Sequence, residues 1–235
     1  MMKAAPWWVT ALFVLSLAMN LWFAGVPDWR WIPAALAAWY AADLISGLTH
    51  MYMDYRPCTP GIGLNEMFHY AGSRESAEYR ALRDGVLPRI SPFERLVYDF
   101  KNHHPRPEAL GRRPFLVQIG STILFVSLPF SILLNLLSLA IMLPGWLMAG
   151  AVVLTIGGTL AQYFHGTLHR PDNPWIVKAM RRLGLLMTPE AHALHHRTLR
   201  RDFATNTGWS NPLVNAIFRV ATGRGWLSEA GLEPR

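Results

Sequence analysis

Eight of the nine histidines in this 235-residue sequence fall into four tight groups. They are His50, the adjacent pair His103 and His104, the pair His165 and His169, and the trio His192, His195 and His196. Imidazole is the commonest side-chain metal ligand near neutral pH. Eight imidazoles are too many for one ion and suit two. His165 and His169 are four residues apart, and His192 lies one turn from both His195 and His196, so each set shares a helix face. Asp43, Gly47, His50 and Asp54 follow the same helical spacing and line one stripe. Asp54 is expected either as a ligand or as an acid behind one. Asp43 sits within an apolar run, where an acid is costly unless partnered. It is expected to accept from a metal-bound imidazole and orient it, with a plain helix–helix hydrogen bond as the alternative. The eight histidines are thus the candidate metal ligands, and Asp43 and Asp54 the candidate catalytic acids. His69 stands apart in the polar stretch Asn65–His69, where one Glu66-x-x-His69 pair is weak evidence for a ligand.

Elements long enough to cross a membrane must position these groups. A spanning helix needs about 20 mostly apolar residues. Trp8–Gly25 and Trp31–Thr49 qualify, the second interrupted only by Asp43. Phe115–Ala161 contains no Asp, Glu, Lys or Arg and is too long for one span. The turn signal Leu143-Pro144-Gly145-Trp146 divides it into spans at about 116–138 and 145–164. Trp7, Trp8, Trp22, Trp29, Trp31 and Trp146 fall at the ends, where amphipathic rings anchor at the interface. Lys3 before the first apolar run also fits a signal peptide, but Phe23-Ala24-Gly25 is a poor cleavage site.

Four spans place the N-terminus, the 50–114 loop and the tail from 165 on one side. Of the 22 Lys and Arg residues only Arg30 falls on the other side, leaving 21 on the shared side. The positive-inside rule puts that side in the cytoplasm. Every grouped histidine reaches the same face. The expected fold is all-α: one multi-pass membrane domain over 1–235, with about four transmembrane helices and a His-rich cytoplasmic cap. The charged segment Ser73–Arg83 is expected as a helix on the membrane surface.

Composition and missing motifs exclude several classes. The single cysteine, Cys58, forms no internal disulfide and no cysteine zinc ribbon. The net charge of +7 is explained by basic loops beside the membrane, so no nucleic-acid partner is expected. The His-Glu-x-x-His zinc motif is absent, and the last trio has no glutamate between its histidines to act as base. Bis-histidine haem would use single facing histidines inside spans. A nitrogen-rich, thiolate-free set suits non-haem iron and oxygen activation. No dinucleotide, haem or iron–sulfur motif is present, so electrons must come from a partner. Arg181, Arg182, Arg200 and Arg201 would steer an acidic partner, or equally serve topology and anionic head groups.

Five stretches together resemble the plasmanylethanolamine desaturase family, the Kua-type lipid desaturase domain related to plant plastid desaturases of phosphatidylglycerol. They are Ala42-Asp43-x-x-Ser46-Gly47-Leu48-x-His50-x-x-x-Asp54; Lys101-x-His103-His104-x-x-Pro107; Gln162-x-x-His165-x-x-x-His169; His192-x-x-His195-His196; and Thr207-Gly208-Trp209-x-Asn211. The resemblance runs from about 35 to 220, with the stretches in family order. It implies a membrane di-iron desaturase that uses O2 and two electrons to remove two hydrogens from adjacent carbons of a phospholipid chain. In animal and bacterial members that chain is the 1-O-alkyl group of an ether lipid, and the product is a vinyl ether, a plasmalogen. Plant members act near the carboxyl end of an acyl chain. An acyl-lipid desaturase, a hydroxylase of the same chemistry and a non-enzymatic metal-binding membrane protein are the alternatives. The implied cofactors are two Fe ions. The implied partners are the phospholipid and a small electron-transfer protein, a cytochrome or ferredoxin. The loop from Asp54 to His103 looks longer than the family's, which bears on the substrate entrance.

Overall fold

The computed structural model describes residues 5–235, and Lys3 lies outside the described residues. The chain forms α1 (Trp7–Ala24), α2 (Trp31–Tyr55), α3 (Leu64–Phe68), α4 (Ala77–Val86), α5 (Pro92–Lys101), α6 (Pro107–Gly111) and α7 (Phe115–Thr122). A π turn (Ile123–Ser127) joins α7 to α8 (Leu128–Ile141). Then come α9 (Gly145–Leu168), α10 (Trp175–Arg182), α11 (Pro189–Thr198) and α12 (Asn211–Gly223). No strand occurs among the described residues. The protein is all-α, with four helices long and apolar enough to cross a membrane: α1, α2, the continuous run Phe115–Ile141, and α9.

Two boundaries differ from the sequence expectation in ways that matter. The second helix runs on to Tyr55 instead of ending at Thr49. The polar residues after Thr49 keep helical spacing, so the helix carries His50 and Asp54 beyond the apolar stretch in one rigid piece. The third span is not uniform. Pro129 offers no N–H to the preceding turn, and the chain widens into the π turn just before it.

α2 and α9 form the central pair. Small residues let the backbones approach, as membrane helix pairs require: a Cβ on Gly157 would lie 2.7 Å from the Ala42 Cβ. α1 packs on α8 and α9. Side-chain hydrogen bonds tie it there, from Asn20 Nδ2 to Ser131 Oγ (2.6 Å) and from Asn135 Nδ2 to Ser16 Oγ (2.9 Å). Trp7, Trp22 and Trp29 stand exposed at helix ends, as interfacial anchors do. The turn after α1 meets the start of α9, where Gly145 abuts the Ala24 carbonyl. Arg30 therefore lies at the end of the bundle opposite the histidines.

The 55–100 segment is not a loose loop. Met53, Cys58, Leu64, Met67, Phe68, Tyr79, Val86, Val97 and Tyr98 form a core of their own over the end of α2. The helix expected over Ser73–Arg83 is α4, displaced a few residues along the chain and started by Ser76, whose side chain accepts from Tyr79 N–H (3.1 Å). A second cluster, Met51, Tyr55, Phe203, Val214 and Phe218, brings the segment after α11 back onto α2.

Candidate metal centre

Four separate elements deliver the histidines to one place. α2 brings His50 and Asp54 on one face. α5 opens with an N-cap, Ser91 Oγ accepting from Glu94 N–H (3.1 Å), and Pro92 in its first turn. It ends at Lys101 in tight turns, with His103 N–H donating to the Phe100 carbonyl (3.2 Å) and His104 N–H to the Lys101 carbonyl (3.1 Å). The last turn of α9 brings His165, and His169 follows at its C-cap. α11 starts on a Thr188 cap with Pro189 in its first turn and carries His192, His195 and His196. It stops at Leu199, whose left-handed backbone (φ 53°) turns the chain back sharply.

The side chains divide into two adjoining groups. His103, His165, His169, His192 and His196 form one; His50, Asp54, His104 and His195 form the other. Within each group, one ligand atom per residue lies within 4.8 Å of all the others. The division follows helical geometry. Pairs four residues apart stay together: His50 with Asp54, His165 with His169, and His192 with His196. The adjacent pairs His103–His104 and His195–His196 split between the groups: on α11 neighbouring side chains diverge by about 100°, and the tight turns after α5 separate His103 from His104. The groups share a wall, with His103 and His104 rings 4.2 Å apart and His50 and His165 rings 5.0 Å apart.

The polar atoms here are poorly satisfied by protein alone. Nε2 of His50, His103, His104, His169 and His195, and both carboxylate oxygens of Asp54, are buried with no hydrogen-bond partner. Asp54 lies 3.3 Å from Nε2 of His50, His104 and His195. In the other group His192 Nε2 faces Nε2 of both His165 and His196 at 3.1 Å. Such crowding of lone pairs is costly without a cation between them. Two rings are also held from behind. His195 Nδ1 donates to the Arg201 carbonyl (2.9 Å), and His103 Nδ1 to the Phe100 carbonyl. Those bonds leave Nε2 of each ring as the free lone pair, as metal-bound imidazoles require. Outside the spans, burial and then the neighbouring imidazoles push His103 and His192 well below the usual histidine range. Burial drives His104 and His169 down to about 4. All are therefore neutral near pH 7, the form that binds metal. The donor set fits two metal ions of the kind that nitrogen and carboxylate ligands hold.

Asp43 departs from its expected role. Its carboxylate touches no imidazole. It accepts from Thr207 N–H (2.7 Å), Gly208 N–H (3.0 Å), Ser210 N–H (2.9 Å) and Ser210 O–H (2.7 Å). A buried acid of this kind anchors a backbone loop, and four donors meet its whole demand. His69 joins neither group; its exposed ring faces Glu233 Oε2 at 3.5 Å. The arginines expected to steer a partner are mostly engaged. Arg181 donates to the Met187 carbonyl (2.9 Å) and to Thr167 Oγ1 (2.9 Å), locking the end of α9. Arg200 pairs with Glu229 and Arg201 with Asp202.

Lys101 was not singled out as a site residue from sequence. It is fully buried, and its Nζ donates to the main-chain carbonyls of Asp54 and Gly231. It clamps the backbone that carries Asp54 to the C-terminal segment. Its place next to the His103–His104 pair was the available signal.

A cavity of about 520 Å³ ends against the histidines. His50, His103 and His165 line that end, with Asp99, Asn102 and Arg113 close by. From there it runs between α2, the π turn and α9 toward Phe130 and Leu154, and its walls become apolar.

The family profile described as the lipid desaturase domain matches residues 93–221. That stretch includes seven of the grouped histidines and stops short of His50 and Asp54 on α2. A plasmanylethanolamine desaturase from Myxococcus xanthus is 26% identical over 230 residues, covering 94% of this chain and 69% of that protein. No solved structure matches the chain.

Proposed function

The chain belongs to the lipid desaturase domain family, and from that premise we propose that it is a di-iron oxidoreductase of ether phospholipids. It is a membrane-bound lipid desaturase; the iron, the ether chain and the vinyl-ether product are our reading. The observation that carries it is the cavity, which joins an apolar interior to the unpartnered imidazoles at its polar end. A chain lying there would present its first carbons, those nearest the head group, to His50, His103 and His165. The relative from Myxococcus xanthus, named for plasmanylethanolamine, supports the choice of an ether lipid.

One ion would be held by His103, His165, His169, His192 and His196, and the other by His50, Asp54, His104 and His195. When bound, the irons supply oxidising power that, with O2, two electrons and two protons, removes two hydrogens from adjacent chain carbons and releases two waters. The protein does the rest. Apolar cavity walls keep water from the reacting carbons. The polar end by His50, His103 and His165 holds the first carbons of the chain beside the two groups, which selects the carbons attacked. The carbonyls of Phe100 and Arg201 hold the His103 and His195 rings in one orientation. Asp54 contributes negative charge to offset the ion beside it. Electrons reach the site from an external carrier, a small cytochrome or ferredoxin. The basic balance of the histidine-bearing end supports a cytoplasmic site under the positive-inside rule.

Lipid mass spectrometry tests this reading. Cells expressing the protein and fed 1-O-alkyl lipids should accumulate acid-labile vinyl ethers two hydrogens lighter than the precursor. A His196→Ala strain should not. Folded, iron-loaded protein that yields no such lipid sinks the ether reading. A two-hydrogen loss on an acyl chain, or an oxygen gain, redirects it to an acyl desaturase or a hydroxylase.

A further inference from the structure

The cavity is open on one flank as well as long. Ile45 on α2 and Val126 in the π turn both line it, and both are more than half exposed, at 53% and 60%. They stand on either side of a slot whose floor is α9. Both belong to membrane-length helices, so the opening faces the hydrocarbon interior of the bilayer. The floor includes two small residues, Gly158 and Ala161, between Leu154 and Gln162.

Gly158 is informative because its neighbour differs. A Cβ on Gly157 would strike Ala42, so packing against α2 explains that glycine. A Cβ on Gly158 would meet nothing within 4 Å. Glycine weakens a helix interior relative to alanine, and here no contact demands it. What its missing side chain leaves is room in the slot. The hydroxyls of Ser127 and Thr155 in the deeper part place no demand on a ligand: Ser127 Oγ donates to Thr159 Oγ1 (2.7 Å), which donates to the Thr155 carbonyl (2.6 Å), and Thr155 Oγ1 donates to the Ala151 carbonyl (2.7 Å). An alkyl chain in the slot leaves these bonds intact. Along α9, Gly158 lies about 10 Å from His165, and Leu154 about 16 Å.

We propose that the slot admits the lipid chain sideways from the bilayer between Ile45 and Val126, and that its depth past Gly158 sets the longest chain converted efficiently. Gly158 is then a specificity-determining residue and Phe130 part of the far wall. This rests on the desaturase reading, to which it adds the route of entry and the limit on chain length.

The test compares a decyl with an octadecyl 1-O-alkyl phospholipid, presented together to membranes holding wild-type, Gly158→Phe or Phe130→Ala protein. A second readout needs no catalysis: a phospholipid with a diazirine at the end of a long chain is photolysed and the labelled peptides are mapped. Gly158→Phe should lower the octadecyl-to-decyl conversion ratio at least tenfold, with metal content and melting temperature held. It should also lose most label from the 126–130 and 154–158 regions. Phe130→Ala should raise the ratio at least threefold. An unchanged ratio in folded, metal-loaded Gly158→Phe overturns the proposal. So does an unchanged ratio in Phe130→Ala if Gly158→Phe does not fold, and so does label confined to other surfaces. If wild-type protein converts neither lipid, the label decides alone: label in the slot keeps the proposal while the desaturase reading fails.

Discussion

Asp43 and Asp54 lie about three turns apart on one stripe of α2, and neither has any exposed surface. Their surroundings differ in what donates to them. Asp43 receives three backbone N–H groups and a hydroxyl from the 207–210 loop. Asp54 receives no hydrogen bond and is ringed by imidazole nitrogens that also lack partners. Inside a membrane-length helix both acids are expensive, so each needs a reason to be there. A buried acid with every lone pair met by its own chain is part of the scaffold. One whose neighbours share its unmet demand marks the place of something the chain does not supply.

The largest expected effect breaks the Asp54 end. Asp54→Ala should cut lipid desaturation by roughly 100-fold or more, with metal content falling by mass spectrometry. The metal-free variant should melt no lower than metal-free wild type, because removing an unpaired buried charge relieves a cost. A clear fall in the metal-free melting temperature would mean Asp54 is scaffold after all. Asp43→Ala should behave in the opposite way, losing about 3 kcal/mol of stability, measured by unfolding in detergent with and without metal. If it melts normally yet loses metal, the contrast collapses.

Gly47 sits between the two acids. An added Cβ there would lie 2.9 Å from Ala204 Cβ and 3.0 Å from its backbone nitrogen. Gly47→Ala should push the 203–214 segment off α2 at a cost of about 2 kcal/mol. Phe203 packs on the His50 and His195 rings, so metal affinity should fall along with stability, which titration would show. Smallest is Ser210→Ala, which removes one of four donors to Asp43. About 1.5 kcal/mol should be lost, with metal content and product ratio unchanged.

Much of this architecture could be read in advance because it is written in one-dimensional signals. Apolar length gave the four spans, their even number gathered the histidines at one end, and spacing put His50 and Asp54 on one face. Asp43's role could not be read, because its partners, Thr207, Gly208 and Ser210, arrive from the far end of the chain. The same holds for Lys101, whose burial depends on Gly231. The long 55–100 segment was underestimated because its core residues are scattered rather than periodic. The five-and-four division of ligands was accessible in principle. Residues four apart share a face and adjacent helical ones diverge, which sorts His195 from His196; only the split of His103 from His104, made in the turns after α5, lay outside it.

That division has a consequence for biosynthesis. Each group draws on segments from both early and late in the chain: His50 and Asp54 from α2, His104 from the α5 turn and His195 from α11 in one; His103, His165 and His192 in the other. One group is complete only once residue 195 has been made and the other once residue 196 has. Contacts of such long range form late in folding. On the proposed di-iron reading metallation would be the closing step of membrane assembly, since a nascent chain stalled after three spans carries neither group complete.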